Sequence, residues 1–175
     1  MSVSYQPLKE KIANDSEEYF KLGKKKGYFI LDKGKIKYLA VGKSYNFSNP
    51  EEKVRMMYYF DLIEKYKYPA DRIEFEVGMP DRTPDRYADI VVFTNDKQRK
   101  PYIIVECKKD GISNAEFERA VKQAIANARL LKAPFAICVA GNTIRAMETE
   151  KWSDENPEKA IINIPISYGK IEEFS

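Results

Sequence analysis

The chain of 175 residues contains no histidine. That absence excludes Ser-His-Asp and Cys-His triads, metalloproteases built on a pair of helix histidines, and nucleases that use a histidine base. Cysteine is scarce: only Cys107 and Cys138 occur, both inside apolar runs and neither in a CxxC pair. A disulfide framework and a structural zinc site are therefore unsupported. Long apolar runs are missing as well. The longest uncharged stretch, Ala133 to Ile144, is too short to cross a bilayer, and Met1 to Glu10 lacks the apolar centre of a secretory signal. A cytoplasmic protein is expected. There is no GxxxxGK[ST] loop to cradle nucleotide phosphates and no evident base-reading element such as a helix-turn-helix. Any catalysis must run on carboxylates, lysine and a metal ion.

What is present is an ordinary globular balance, 43% hydrophobic against 33% charged residues, enough for one domain with a real core. We expect a core over 48–150, an N-terminal extension over 1–47 and a tail over 151–175. The net charge of +3 is uneven, because residues 1–50 hold ten lysines against five acidic residues while the remainder is slightly acidic. A basic N-terminal part suits phosphate contact, although lysines on a solvated surface are the commoner explanation.

Taken in order, Asp15 to Leu22 predicts a short helix stopped by Gly23, and 27–31 with 35–41 predicts a hairpin whose turn holds Gly34 where positive φ is needed. Ser48-Asn-Pro-Glu-Glu52 is a helix start, with Asn49 as cap, Pro50 in the first turn and Glu52 placed as a capping-box partner. That helix is expected to reach Tyr66 with Val54, Met57, Tyr58 and Leu62 inward. Arg72 to Met79 alternates as a strand with Ile73, Phe75 and Val77 on one face. A turn-rich loop, Pro80 to Asp85, follows. A second helix is expected over 113–131, with Phe117, Val121, Ala124, Ala128 and Leu131 on its core side and Gln123 at the edge of that face. Pro134 to Ala140 is apolar throughout, as a strand buried on both faces should be, and a parallel placement is expected because it follows a helix. Thr143 to Glu148 reads as its hairpin partner. The last 25 or so residues suggest no role.

The stretch that organises the chain is Arg86-Tyr-Ala-Asp89-Ile-Val-Val-Phe93, a polar turn, and Pro101-Tyr-Ile-Ile-Val-Glu106-Cys-Lys108-Lys109. It predicts two antiparallel strands. Glu106 and Lys108 share one face while Cys107 takes the other, and Asp89 at the start of its strand lies beside the end of the next. Three charged groups thus converge at one end of a buried sheet. Two adjacent carboxylates repel unless a cation lies between them, and an all-oxygen set favours Mg²⁺ or Mn²⁺ over Zn²⁺. A structural ion pair between Lys108 and the carboxylates satisfies the same spacing.

The pattern Asp89 followed by Glu106-Cys107-Lys108 resembles the PD-(D/E)xK nuclease superfamily. Asn49-Pro-Glu-Glu-Lys-Val-Arg55, Arg86-Tyr-Ala-Asp89-Ile-Val-Val, Ile104-Val-Glu106-Cys-Lys108-Lys109 and Gln123, in that order, are similar to the N-terminal nuclease domain of type I restriction enzyme R subunits. The resemblance implies an α/β fold: an αβββαβ core with a mixed sheet flanked by helices, here with an N-terminal helix and hairpin and an extra C-terminal strand. It implies Mg²⁺- or Mn²⁺-dependent cleavage of DNA. Asp89, Glu106 and the Cys107 backbone carbonyl would bind the metal, and an acidic residue of the first core helix, Glu52 ahead of Glu51, would complete the site. Lys108 would orient or deprotonate the attacking water or hold the phosphate. Beside two carboxylates, the orienting and charge-stabilising role suits it better. Gln123 would line the site, and Asn127 stands where the family often has tyrosine. Arg82, Arg86 and Lys109 are candidate DNA contacts, though Arg82 and Arg86 pair equally well with Asp81 and Asp85. Implied partners are DNA and other restriction-modification subunits or a translocase region absent from this sequence; no membrane is implied. A non-catalytic DNA-binding or docking module with the same fold, and a junction-resolving nuclease, remain alternatives.

Overall fold

The computed structural model describes residues 9–80, 86–168 and 170–171. Helix α1 spans Lys9–Lys26 and runs through Gly23 instead of stopping there. The correction has a packing cause: the Phe29 ring lies on Gly23 so closely that a Cβ would sit 2.1 Å from its Cζ. The turn out of the helix falls at Gly27, with φ of 78°.

The expected hairpin forms, with Lys33 and Gly34 both at positive φ between β1 (Phe29–Asp32) and β2 (Lys35–Tyr38). A further strand, β3 (Lys43–Asn46), pairs with β2 and makes this a three-stranded sheet. Helix α2 (Pro50–Glu64) starts as expected at Asn49, whose side chain accepts the Glu51 amide at 3.0 Å. Its burial is wider than one stripe: Val54, Met56, Tyr58, Tyr59 and Leu62 are all buried, and Met56 replaces Met57 on the inner side. One core gathers Phe29, Ile36 and Tyr38 of the small sheet, these α2 residues, and Ile73, Phe75, Ile90 and Val105 of the main sheet. The helix is packed from two directions, so a single amphipathic stripe underestimates its apolar surface.

The main sheet has six strands in the order β4 (Ile73–Gly78), β5 (Tyr87–Phe93), β6 (Pro101–Lys108), β7 (Phe135–Ala140), β8 (Thr143–Glu148) and β9 (Ile161–Ile162). All neighbours are antiparallel except β6 and β7, which are joined by the crossover helix α3 (Asn114–Leu130). The second face of the sheet packs Val91, Ile104 and Ala136 against Phe117, Val121, Ala124 and Ala128 of α3, as the helical spacing predicts.

Strand β4 departs from simple alternation. Ile73 and Phe75 face the first core, but Val77 packs against the second. The switch occurs at Glu76, which has φ of 52° in the middle of the strand. Register pairs Phe75 with Ile90 and Val77 with Ala88 but not Glu76 with Asp89, and the β5–β6 ladder begins only at Ile90 with Val105. The sheet is therefore open on both sides of Asp89.

The C-terminal stretch, without a role in the sequence reading, closes the first core. Short strands β10 (Pro165–Ile166) and β11 (Lys170–Ile171) pair with each other. Tyr68 donates its hydroxyl to the Pro165 carbonyl at 2.5 Å, and Tyr168 donates to that of Phe93 at 2.8 Å. The loop residues 81–85, including Arg82 and its proposed partners Asp81 and Asp85, lie outside the described residues. Among the described residues no helix is long and apolar enough to cross a membrane.

Candidate active site

Two carboxyl groups meet where the sheet opens. Asp89 Oδ2 accepts the Cys107 amide at 2.7 Å, so a side chain takes the place of a ladder acceptor at the end of β6. The carboxyls of Asp89 and Glu106 are close enough for each to shift the other's titration. Glu106 is only 2% exposed, and its Oε1 accepts Asn127 Nδ2 at 2.7 Å. Burial, and then the charge of Asp89, push the Glu106 carboxyl up to about 8. Burial also raises Asp89, against the Cys107 amide and the charges of Arg55 and Lys108, which favour its ionised form. Lys108 favours the ionised Glu106 too. One proton held between two carboxyls is the expected state of such a pair at neutral pH.

The opposite side of Asp89 is built by α2. Arg55 is 5% exposed and forms a fork on Glu52, with Nε 3.1 Å from Oε2 and Nη2 2.5 Å from Oε1. Tyr38 adds a 2.6 Å hydrogen bond to Glu52 Oε2. The guanidinium packs on two adjacent rings, 4.0 Å from the Tyr45 centroid and 4.7 Å from that of Phe75. Its remaining nitrogen, Nη1, is 3.4 Å from the Asp89 carbonyl and 3.7 Å from Glu76 Oε1. A cavity of about 270 Å³ opens here, lined by residues that include Tyr45, Glu52, Arg55, Glu76, Asp89 and Cys107. Glu106 does not line it.

Most of the sequence-predicted residues are brought together. Asp89, Glu106, Cys107 and Lys108 stand side by side at the β5–β6 end. Glu52 reaches the same cavity as Asp89, but it is not a capping-box partner: it turns inward, and both its oxygens are engaged by Arg55 and Tyr38. Glu51 also lines the cavity. Gln123 is half-buried on α3, one turn before Asn127, and its backbone carbonyl accepts Arg86 Nη2 at 3.5 Å. Arg86 is thereby tied to α3, while Lys109 is exposed just past β6. The residues not foreseen as site members are Arg55, Tyr38, Tyr45 and Glu76, together with Asn127 as the direct partner of Glu106. A signal existed for Asn127, a polar residue beside Ala128 and Ala124 on the apolar stripe.

Among the described residues, no three acidic or thiol groups stand close enough to share one ion. The donors do fit a hard divalent cation: the half-buried Asp89 carboxyl and the buried Glu106 carboxyl stand side by side and offer oxygen ligands. The order α2, β4, β5, β6, α3, β7, with helices on both faces of a mixed sheet, defines a restriction-endonuclease-like fold. A family model described as the type I restriction enzyme R protein N terminus matches residues 50–165, about two thirds of the sequence, and the chain belongs to that family. It is accordingly a nuclease-related restriction module. No curated protein matches the chain.

Proposed function

We propose that the protein is a Mg²⁺- or Mn²⁺-dependent endonuclease that hydrolyses DNA phosphodiester bonds as part of a restriction system. The observation that carries this reading is the pairing of the half-buried Asp89 carboxyl with the buried Glu106 carboxyl next to Lys108, at a break in the sheet that leaves Asp89 facing a cavity. Asp89, Glu106 and the Cys107 backbone carbonyl would hold the ion. When bound, the ion supplies a water of lowered pKa and neutralises charge on the phosphate oxygens. Asn127 fixes the orientation of Glu106. Lys108 would orient the attacking water and offset developing negative charge, with Gln123 lining the same side. Arg86, Lys109 and the lysines of the N-terminal sheet would contact the DNA backbone, which suits cutting without base reading. Translocation and target choice would belong to partner subunits or to a translocase region.

Supercoiled plasmid incubated with the protein and Mg²⁺ or Mn²⁺ tests the reading. Nicking or linearisation that needs the metal and is lost in Asp89→Ala and Lys108→Ala is the expected result. Absence of calorimetric metal binding by the unmodified protein would sink it.

A further inference from the structure

Asp89 is held in place by groups outside the strand ladder. Strand β4 turns left-handed at Glu76, which leaves Glu76 opposite Asp89 without a ladder pair, and β6 pairs with β5 only from Ile90 onward. Two side-chain cations meet backbone carbonyls around this break. Lys43 Nζ donates to the Phe75 carbonyl at 2.7 Å, and Arg55 Nη1 reaches the Asp89 carbonyl at 3.4 Å. Buried carbonyls require such partners when the ladder does not provide them.

Arg55 has little freedom to do anything else. Two neighbouring rings, Tyr45 and Phe75, pack on its guanidinium, one edge is locked on Glu52, and Glu52 is locked in turn by Tyr38. A planar fork held at two edges and packed on two rings is a rigid support, which a lysine cannot reproduce. Tyr38 and Tyr45 come from the N-terminal sheet, outside the matched family segment, so that sheet contributes directly to the support.

We propose that Arg55, packed on Tyr45 and Phe75 and anchored on Glu52, is a positioning residue that fixes the backbone at Asp89 so that its carboxylate stays on the Cys107 amide beside Glu106. Glu52 then acts through Arg55, and does not enter the shell of the metal. The second half of this statement rests on the metal-dependent reading above; the first half does not.

The test uses the full chain with Arg55→Lys, which keeps the charge but not the fork, and Tyr45→Leu, which removes one of the two rings packed on the guanidinium. Amide hydrogen exchange of the metal-free protein is the first readout. Cys107 should exchange at least about ten-fold faster in both variants, while Ile104 and Val105 of the same strand keep their protection, as local opening requires. Unchanged exchange at Cys107, or equal acceleration along the whole strand, overturns the positioning role and leaves Arg55 as a core residue. The second readout is Mn²⁺ titration calorimetry of Glu52→Gln, which preserves an acceptor for Arg55. Affinity should fall by no more than the roughly 10–100-fold cost of an outer-shell change, whereas loss of a true ligand exceeds it. A loss as large as that of Asp89→Asn makes Glu52 a ligand and overturns its assignment. If the unmodified protein binds no Mn²⁺, the metal reading fails and Glu52's assignment falls with it, while the exchange measurement still decides the role of Arg55.

Discussion

Asn127 donates one hydrogen bond to Glu106 from a fully buried position, and it does so with its own Oδ1 left without a partner among the described residues. An orphaned buried carbonyl is a cost, so the amide is placed for Glu106 and not for its own stability. Asn127→Leu, similar in volume, removes the donor and the orphan together. At pH 9, where Glu106 is ionised, the variant should lose about 1.5–3 kcal/mol, the worth of a hydrogen bond to a charged group. At pH 5, with Glu106 protonated, the loss should shrink to within about 1 kcal/mol. Urea unfolding at the two pH values checks this, and metal affinity should fall about 10-fold or more.

The raised carboxyl of Glu106 ties stability to pH. Its ordinary value of 4.5 applies to the unfolded chain, and burial with the charge of Asp89 takes it to about 8 in the folded one. Between these values the folded protein keeps a proton that the unfolded chain has released. Stability is therefore highest below the lower value, falls as pH rises through the window, and levels off above about 8. The slope for one whole proton approaches about 1.4 kcal/mol per pH unit, and Glu106→Gln should remove that part of the dependence in metal-free unfolding curves. Metal must displace the same proton, so Mn²⁺ affinity should rise up to about ten-fold per pH unit below the upper value and flatten above it.

Asp89 separates a metal site from a structural ion pair. Its folded-state shift is upward despite Arg55, Lys108 and the Cys107 amide, so the sum of its surroundings disfavours the charge. Asp89→Asn keeps an acceptor for the Cys107 amide and deletes that charge. Metal-free stability at pH 9 should hold or rise by about 1 kcal/mol, from relief of repulsion at Glu106. Metal binding should be abolished. A stability loss in metal-free buffer, read by thermal or urea unfolding, would instead make the trio an ion-pair network.

How much of this was legible follows from the range of each rule. Period-two alternation placed Glu106, Cys107 and Lys108 correctly, because β6 pairs regularly from Ile103 to Lys108, past the irregularity at its start. The same rule failed at Val77, since it cannot register a left-handed residue such as Glu76. Local capping rules assigned Glu52 to the helix start; a fork to buried Arg55 won instead. Arg55 sits in a charged stretch, Glu51-Glu52-Lys53-Val54-Arg55, that reads as solvated until Tyr45 and Phe75 close over it from distant positions. Strand β3, largely exposed, has no apolar alternation to detect and is specified by its pairing with β2.

Gly23 gives a prediction in which two rules disagree in sign. Helix propensity alone says that Gly23→Ala, inside α1, should stabilise by about 1 kcal/mol. The packing says otherwise, because the new Cβ would lie 2.1 Å, 2.6 Å and 2.7 Å from three atoms of the Phe29 ring. Phe29 is fully buried, stacks on Phe20 and meets Tyr38 edge-on, so the ring has no open side into which to retreat. Overpacking of this kind costs roughly 1–3 kcal/mol and should outweigh the propensity gain. The variant should therefore unfold at lower urea concentration than the unmodified protein. Phe29→Leu added to Gly23→Ala should recover part of the loss, since the smaller side chain vacates the contact. A Gly23→Ala variant more stable than the parent would mean that α1 and the small sheet are not packed against each other in solution.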